Sequence, residues 1–319
     1  MASRLRRTLL AGLVTAAVAV PVSAAARPSA VPAPPPAAVG RLTFGELPRL
    51  EDRFSTNRDN IRAAARAAAA HGDRGRAASL REMAAGGRQF LTFDGRDGGR
   101  SAEVFGDLAH ADRVAVLVPG SDTDLDTYAR FRAGAVALHD AVRQVGGPRT
   151  AVVAWLGYAT PATVGTDVLT TGRADDGVSQ LRSFVRQLRT ALPHAELSLL
   201  CHSYGSVVCA RAAHRLDVDD IALYGSPGTG ADSVRDLRTP ATVWAGRGDD
   251  DWIAHVPHVR LELPGTDVGL GADPVSAAFG ARVFDAGDGG HSDYLKPGTT
   301  ALGNLALIAV GRTGEVTRA

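Results

Sequence analysis

Glu196-Leu-Ser-Leu-Leu-Cys-His-Ser-Tyr-Gly205 is the stretch on which the fold turns. An apolar run carrying Leu197, Leu199 and Leu200 breaks into a serine between small residues, and a helical pattern with Val207, Val208 and Ala212 follows. A strand that ends near Cys201 and a helix that starts just after Ser203 form a sharp elbow, which strains the serine backbone and lifts its Oγ clear of the sheet. Such a turn needs small residues two before and two after the serine, because strand and helix backbones nearly touch there. Cys201 and Gly205 occupy those places. Cysteine stands where G-x-S-x-G has its first glycine, but it is compact and behaves as a small hydrophobe.

Two downstream segments supply chemistry that a serine needs. Ala241-Thr-Val-Trp-Ala-Gly246 reads as a buried strand running into the carboxylate-rich loop Arg247-Gly-Asp-Asp-Asp-Trp-Ile253. Further on, Ala281-Arg-Val-Phe-Asp285 reads as a last strand, followed by Ala286-Gly-Asp-Gly-Gly-His291 and a helix bearing Leu302, Leu305 and Ile308. Gly287, Gly289 and Gly290 open backbone conformations closed to other residues and let an imidazole reach the serine. The other histidines lack this placement: His194 precedes the elbow strand, His202 neighbours the serine, and His255 and His258 have no Cys or Glu at ligand spacing. A loop aspartate completes the set. Asp251, followed by Trp252 and Ile253, fits best, with Asp250 and Asp249 as alternatives.

From about residue 90 to residue 312 the chain resembles the α/β-hydrolase superfamily, and within it an exported actinobacterial branch of unknown function. The resemblance is carried by Val116-Leu-Val-Pro-Gly-Ser121, Cys201-His-Ser-Tyr-Gly-Ser206, Asp250-Asp-Trp-Ile253 and Gly289-Gly-His-Ser-Asp-Tyr294. It implies a triad in the chain order serine, acid, histidine, with Ser203 as nucleophile, His291 as general base and one aspartate of 249–251 as its orienter. The oxyanion of acyl transfer needs two N–H donors. Tyr204 opens the helix and so belongs to the first-turn N–H groups that a helix leaves to other acceptors. Ser121 follows the strand Arg113-Val-Ala-Val-Leu-Val118, where similar enzymes carry His-Gly-x, and by position gives the second.

The flanking pattern fits a layered α/β fold. Strands are expected at 90–93, 101–105, 114–118, 150–157, 221–224, 241–245 and 281–284, and helices at 125–145 and near 178–192. Such alternation predicts a mostly parallel central sheet of about eight strands with helices on both faces, its first two strands forming an antiparallel hairpin. Ligands in sheets of this type bind beyond the strands' carboxyl ends, where Ser203, the 249–251 loop, His291 and Ser121 all fall. Loops 158–177 and 254–280 are long enough to wall a substrate site.

The chain begins with arginines at 4, 6 and 7, an apolar run over 8–20, and Ala24-x-Ala26. This reads as a secretory signal peptide over 1–26, too short for a comfortable membrane span. Arg6-Arg7 also admits twin-arginine export, and an uncleaved anchor is the alternative. A Pro/Ala-rich linker occupies 27–39, a helical N-terminal segment 40–88, and the catalytic domain 89–319. Removing the three leader arginines from a formal charge of +1 leaves the mature chain near −2. No nucleic-acid surface is indicated. Cys201 and Cys209 are read as two buried free thiols, since a helix packed on a sheet stands a side-chain layer away and a bridge needs Cα atoms within about 7 Å. A catalytic Cys201 would lack a base in reach.

The expectation is therefore a secreted or cell-envelope serine hydrolase that cleaves a small-molecule or lipid-like carboxylic ester through an acyl-enzyme, without metal or organic cofactor. Peptidase, lipase and thioesterase chemistry use the same groups. The absence of a long apolar lid helix from the sequence weighs against an oil-interface lipase. A catalytically idle binding protein of the cell envelope is the reading from another class.

Overall fold

Apolar strands pair at the centre of the molecule, among them Arg113–Val118 with valine at alternate positions. In the computed structural model, which describes residues 31–163, 172–256, 258, 261–263 and 266–319, β3 (Arg113–Val118) lies parallel between β4 (Thr150–Leu156) and β5 (Glu196–His202). The sheet has eight strands in the order β1-β2-β4-β3-β5-β6-β7-β10, where β1 is Gln89–Asp94, β2 Arg100–Phe105, β6 Asp220–Tyr224, β7 Thr242–Gly246 and β10 Arg282–Val283. β2 is antiparallel to both of its neighbours and the remaining pairings are parallel. A separate two-stranded ribbon joins β8 (Leu261–Leu263) to β9 (Thr266–Val268).

Alternation along the strands separates two apolar layers. Val114, Val116 and Val118 share one layer with Leu197, Leu199 and Cys201, covered by α4 (Gly172–Ala191) and α5 (Gly205–Ala212) through Leu181, Val185, Val207 and Val208. Ala115 and Leu117 face the other layer with Leu200, Ala222 and Trp244. There α3 (Tyr128–Val145) and α6 (Thr300–Ala309) supply Ala135, Leu138, Leu305 and Ile308. The expected sheet, with helices on both faces, is thus present.

The N-terminal helices α1 (Leu50–His71) and α2 (Arg74–Met83) form a third cluster, in which Ile61, Ala65, Leu80 and Met83 pack on Phe90, Phe93 and Tyr128. Asn57 in α1 donates from Nδ2 to the Phe90 carbonyl at 2.8 Å, tying the helix to β1. Glu103, buried in β2, receives both Arg88 nitrogens at 2.7 Å, the Tyr128 hydroxyl at 3.1 Å and Arg132 Nε at 3.2 Å. Its charge is fully partnered, as burial demands. Residues 31–39 run without regular structure along α1, where Ala37 exchanges hydrogen bonds with the Asn60 side chain.

Several sequence expectations shift. The helix expected from 125 begins at Tyr128, because Asp124 Oδ1 accepts from the N–H groups of Asp126 and Thr127 at 2.9 Å and holds a turn ahead of it. The two cysteines are not free thiols: Cys201 and Cys209 form a disulfide across a Cα separation of 6.5 Å. The layer spacing used to expect otherwise applies to the middle of a helix on a sheet. At the elbow the helix leaves the strand end directly, so its second turn still lies within bridging distance. The expected signal peptide over 1–26 and residues 27–30 lie outside the described residues, as does 164–171 of the first expected substrate loop and parts of the second.

Candidate active site

The end of β5 and the start of α5 meet at Ser203, whose φ of 51° is in the left-handed region that non-glycine residues avoid. The conformation is over-determined by its neighbours. Ser203 N–H donates to the Tyr224 carbonyl at 3.0 Å, and the Ser203 carbonyl accepts from Ser206 N–H at 2.9 Å and Ser206 Oγ at 2.6 Å. A Cβ at Gly205 would stand 2.5 Å from the Pro119 carbonyl oxygen and 2.6 Å from that of Val118, so only glycine lets the helix pass the end of β3. Gly120 is equally confined, its absent Cβ falling 2.6 Å from that of Ser203. The loop after β3 therefore lies against the serine, with Ser121 next in the chain.

The loop after β10 carries His291 to the serine: its Nε2 is 2.9 Å from Ser203 Oγ. On the other side Nδ1 lies 2.9 Å and 3.0 Å from the two carboxylate oxygens of Asp251. A carboxylate only accepts, so Nδ1 carries the proton and the Nε2 lone pair faces the serine hydroxyl. Asp251 is 1% exposed, whereas Asp249 and Asp250 point to solvent. Of the three aspartates, the structure brings Asp251 alone to His291. Burial pushes the Asp251 carboxyl up, but hydrogen bonds from His291, Tyr294 and the Ile253 N–H outweigh it and hold the group below its ordinary value.

Two residues at the site had no role in the sequence reading. The Tyr294 hydroxyl donates to Asp251 Oδ2 and accepts from the Gly248 N–H at 3.1 Å. His202 Nε2 is 2.8 Å from the His291 carbonyl, and its ring lies between those of Tyr224, His291 and Tyr294 at centroid distances of 5.2, 4.9 and 5.7 Å. Burial, then the neighbouring His291, lowers the His202 pKa to about 4. Tyr294 was visible only as the third residue after His291; contact with Asp251 requires the fold. Trp252, 49% exposed, sets its ring 4.9 Å from that of His291.

Of the expected oxyanion donors, Tyr204 follows the serine directly and Ser121 follows Gly120, which lies against it. Tyr204 is the N-cap of α5, and its hydroxyl accepts from the Ala174 N–H at 3.2 Å, fastening the start of α4 to the elbow. The Ser121 loop is tied to the segment after β4 through Asp122 N–H to the Pro161 carbonyl at 3.0 Å and Thr163 N–H to Asp122 Oδ1 at 3.1 Å. The Ser121 hydroxyl is buried without a hydrogen-bond partner among the described residues.

An uncharacterized protein of Mycobacterium tuberculosis is 31% identical over 252 residues, covering 69% of this chain and 38% of its own length. An uncharacterized protein of Mycobacterium bovis is 33% identical over 135 residues, covering 39% of this chain and 50% of its own. The chain thus spans half or less of these relatives. Among solved structures, an α/β serine hydrolase without lid from Xanthomonas campestris superposes with a TM-score of 0.46 at 20% identity, covering 72% of this chain and 95% of that one. A dienelactone hydrolase-like promiscuous phosphotriesterase from metagenomic libraries gives 0.45 at 14% identity, covering 72% and 98%. The α/β-hydrolase family model matches residues 94–261, more than half of the 319 residues, and with the strand order and elbow described above this chain belongs to the α/β-hydrolase family.

Proposed function

We propose that the protein is a serine hydrolase that cleaves carboxylic esters through an acyl-enzyme. The observation that carries this reading is the unbroken line from Ser203 Oγ through the His291 imidazole to Asp251, with Oγ to Nε2 and Nδ1 to Oδ1 both 2.9 Å, beginning at a serine held at positive φ. In the first half-reaction Ser203 Oγ attacks the ester carbonyl while His291 Nε2 takes its proton. The oxyanion is met by the N–H groups of Tyr204 and Ser121, and collapse expels the alcohol, which leaves with the proton from His291. Water then enters, gives a proton to His291 and attacks the acyl carbon. Expulsion of Ser203 Oγ, reprotonated by His291, frees the acid. Asp251 keeps the imidazole in the Nδ1–H tautomer and stabilises its cation. The preference for a modest-sized ester is supported by the lack of a long apolar lid helix in the sequence and by Trp252, an exposed aromatic wall beside His291. Export through residues 1–26 belongs to the same proposal, and a mature protein starting near Arg27 in culture medium is its expected sign.

The test is a fluorophosphonate label on the purified protein. The adduct is expected on Ser203, and Ser203→Ala should lose both the label and hydrolysis of short p-nitrophenyl esters. A folded protein that takes no label would replace the enzyme with a binding protein on the same fold.

A further inference from the structure

Beyond the three residues of the triad, the contacts of Asp251 single out a fourth side chain. Each Asp251 oxygen has two donors: Oδ1 accepts from His291 Nδ1 and the Ile253 N–H, and Oδ2 from His291 Nδ1 and the Tyr294 hydroxyl. Tyr294 can aim only one proton, and the Gly248 N–H takes the acceptor side of its oxygen at 3.1 Å, so the hydroxyl hydrogen is directed to the carboxylate. The ring is 4% exposed and clamped by Tyr224 at 5.3 Å and His202 at 5.7 Å. The approach is built into the backbone. Gly225, at φ 56°, leaves the place where a Cβ would meet the Tyr294 ring at 2.9 Å and Asp251 Oδ2 at 3.1 Å.

We propose that Tyr294 is a positioning residue that sets the basicity of His291 through Asp251, making the relay Ser203–His291–Asp251–Tyr294. A donor on Oδ2 draws charge from the carboxylate, so that Asp251 stabilises the imidazolium less than it would alone. The same bond keeps Asp251 ionised and in the plane that His291 needs. Burial, with the bond to Asp251 next, raises the Tyr294 phenol above its ordinary range, so it remains a donor throughout the working pH. The titratable and charged groups facing this relay are His202 from β5, Tyr224 from β6 and Arg247 from the end of β7.

The proposal rests on the hydrolase reading for its catalytic meaning, so its first readout is independent of turnover: the His291 imidazole pKa by NMR titration of the whole protein. Tyr294→Phe keeps the ring and removes the donor, and His291 is expected to titrate at higher pH than in the wild type. Site-specific replacement of Tyr294 by 3-fluorotyrosine, a stronger donor that still accepts from Gly248, should move it the other way and covers the case in which the Phe variant does not fold. In ester hydrolysis the acid limb of kcat/KM for Tyr294→Phe should follow the NMR shift, with kcat falling roughly tenfold and KM held. A His291 titration unmoved by both replacements would overturn the relay, even with activity reduced. Opposed shifts in the two replacements, together with a wild-type protein that takes no fluorophosphonate, would leave the relay standing and sink the hydrolase reading.

Discussion

His202 Nε2 donates to the carbonyl oxygen of His291 at 2.8 Å, so the residue just before the serine fixes the backbone of the residue that faces the serine. A carbonyl cannot donate, hence Nε2 of His202 carries a proton. The contact joins β5 to the glycine-rich loop after β10, which the Asp249 N–H also holds through the Gly287 carbonyl at 3.0 Å. Elbow and base loop are in this way one unit rather than two loops that meet by chance.

That unit has a pH signature. The folded protein holds His202 neutral down to about 4, against an ordinary value of 6.5 in an unfolded chain. Between those values the unfolded state binds the extra proton and the folded state does not, so stability falls as pH drops from 6.5 towards 4 and this group contributes no pH dependence above that window. His202→Gln retains a donor but not the titration. Its melting temperature should therefore decline less than the wild type's over the same range, as read by parallel thermal scans. Equal slopes for the two proteins would show that His202 is already charged in the fold.

Asp251 is the buried member of three consecutive aspartates, and the one at 2.9 Å from His291. Asp251→Asn would place an amide against Nδ1 and favour the wrong tautomer, an exchange that costs about 10⁴-fold in kcat in the serine protease triad. Asn at 249 or 250, both exposed, should leave kcat within a few-fold of wild type. Steady-state kinetics on a p-nitrophenyl ester separates the outcomes, and a crippling Asp250→Asn would move the acid by one residue.

The sequence favoured Asp251 through the Trp252 and Ile253 that follow it but left Asp250 and Asp249 open, because all three sit in one loop and burial depends on how the loop closes. The elbow was legible, since an apolar run, a serine and a small residue at a fixed step are local. So was the sheet: strands such as 114–118 carry their alternation in five residues. Tyr294 and His202 were not, because their roles depend on atoms 43 and 89 residues away in the chain. The disulfide failed for a different reason, a spacing valid for a packed helix applied to one that springs from its own strand.

Cys201 and Cys209 close a loop with a sequence separation of 8 at the base of the elbow. The loop-entropy model assigns such a short bridge about 2–3 kcal/mol, most of it through the unfolded chain. The double variant Cys201→Ala, Cys209→Ala should lose stability of that order in denaturant unfolding. It should still take the fluorophosphonate label, because neither sulfur touches the reacting atoms. Unfolding midpoints that coincide for bridged and double-variant protein would show that the bridge does not form in solution.

Gly205 offers the sharpest test of the elbow itself. The atoms its Cβ would strike are the carbonyl oxygens of Pro119 and Val118, at 2.5 and 2.6 Å, and a backbone at the end of a central strand cannot rotate aside as a side chain would. Gly205→Ala must push α5 from β3 and displace Gly120, which lies against Ser203. Overpacking of this kind costs about 1–3 kcal/mol, and a shift near the serine should lower kcat at least tenfold. Gly303, within α6, has nothing within 4 Å of its would-be Cβ. Gly303→Ala should therefore raise stability by about 0.5–1 kcal/mol through helix propensity and leave kcat alone. Chemical denaturation and ester turnover on the two variants give opposite signs if the helix and strand meet as described, and a neutral Gly205→Ala would place the elbow elsewhere.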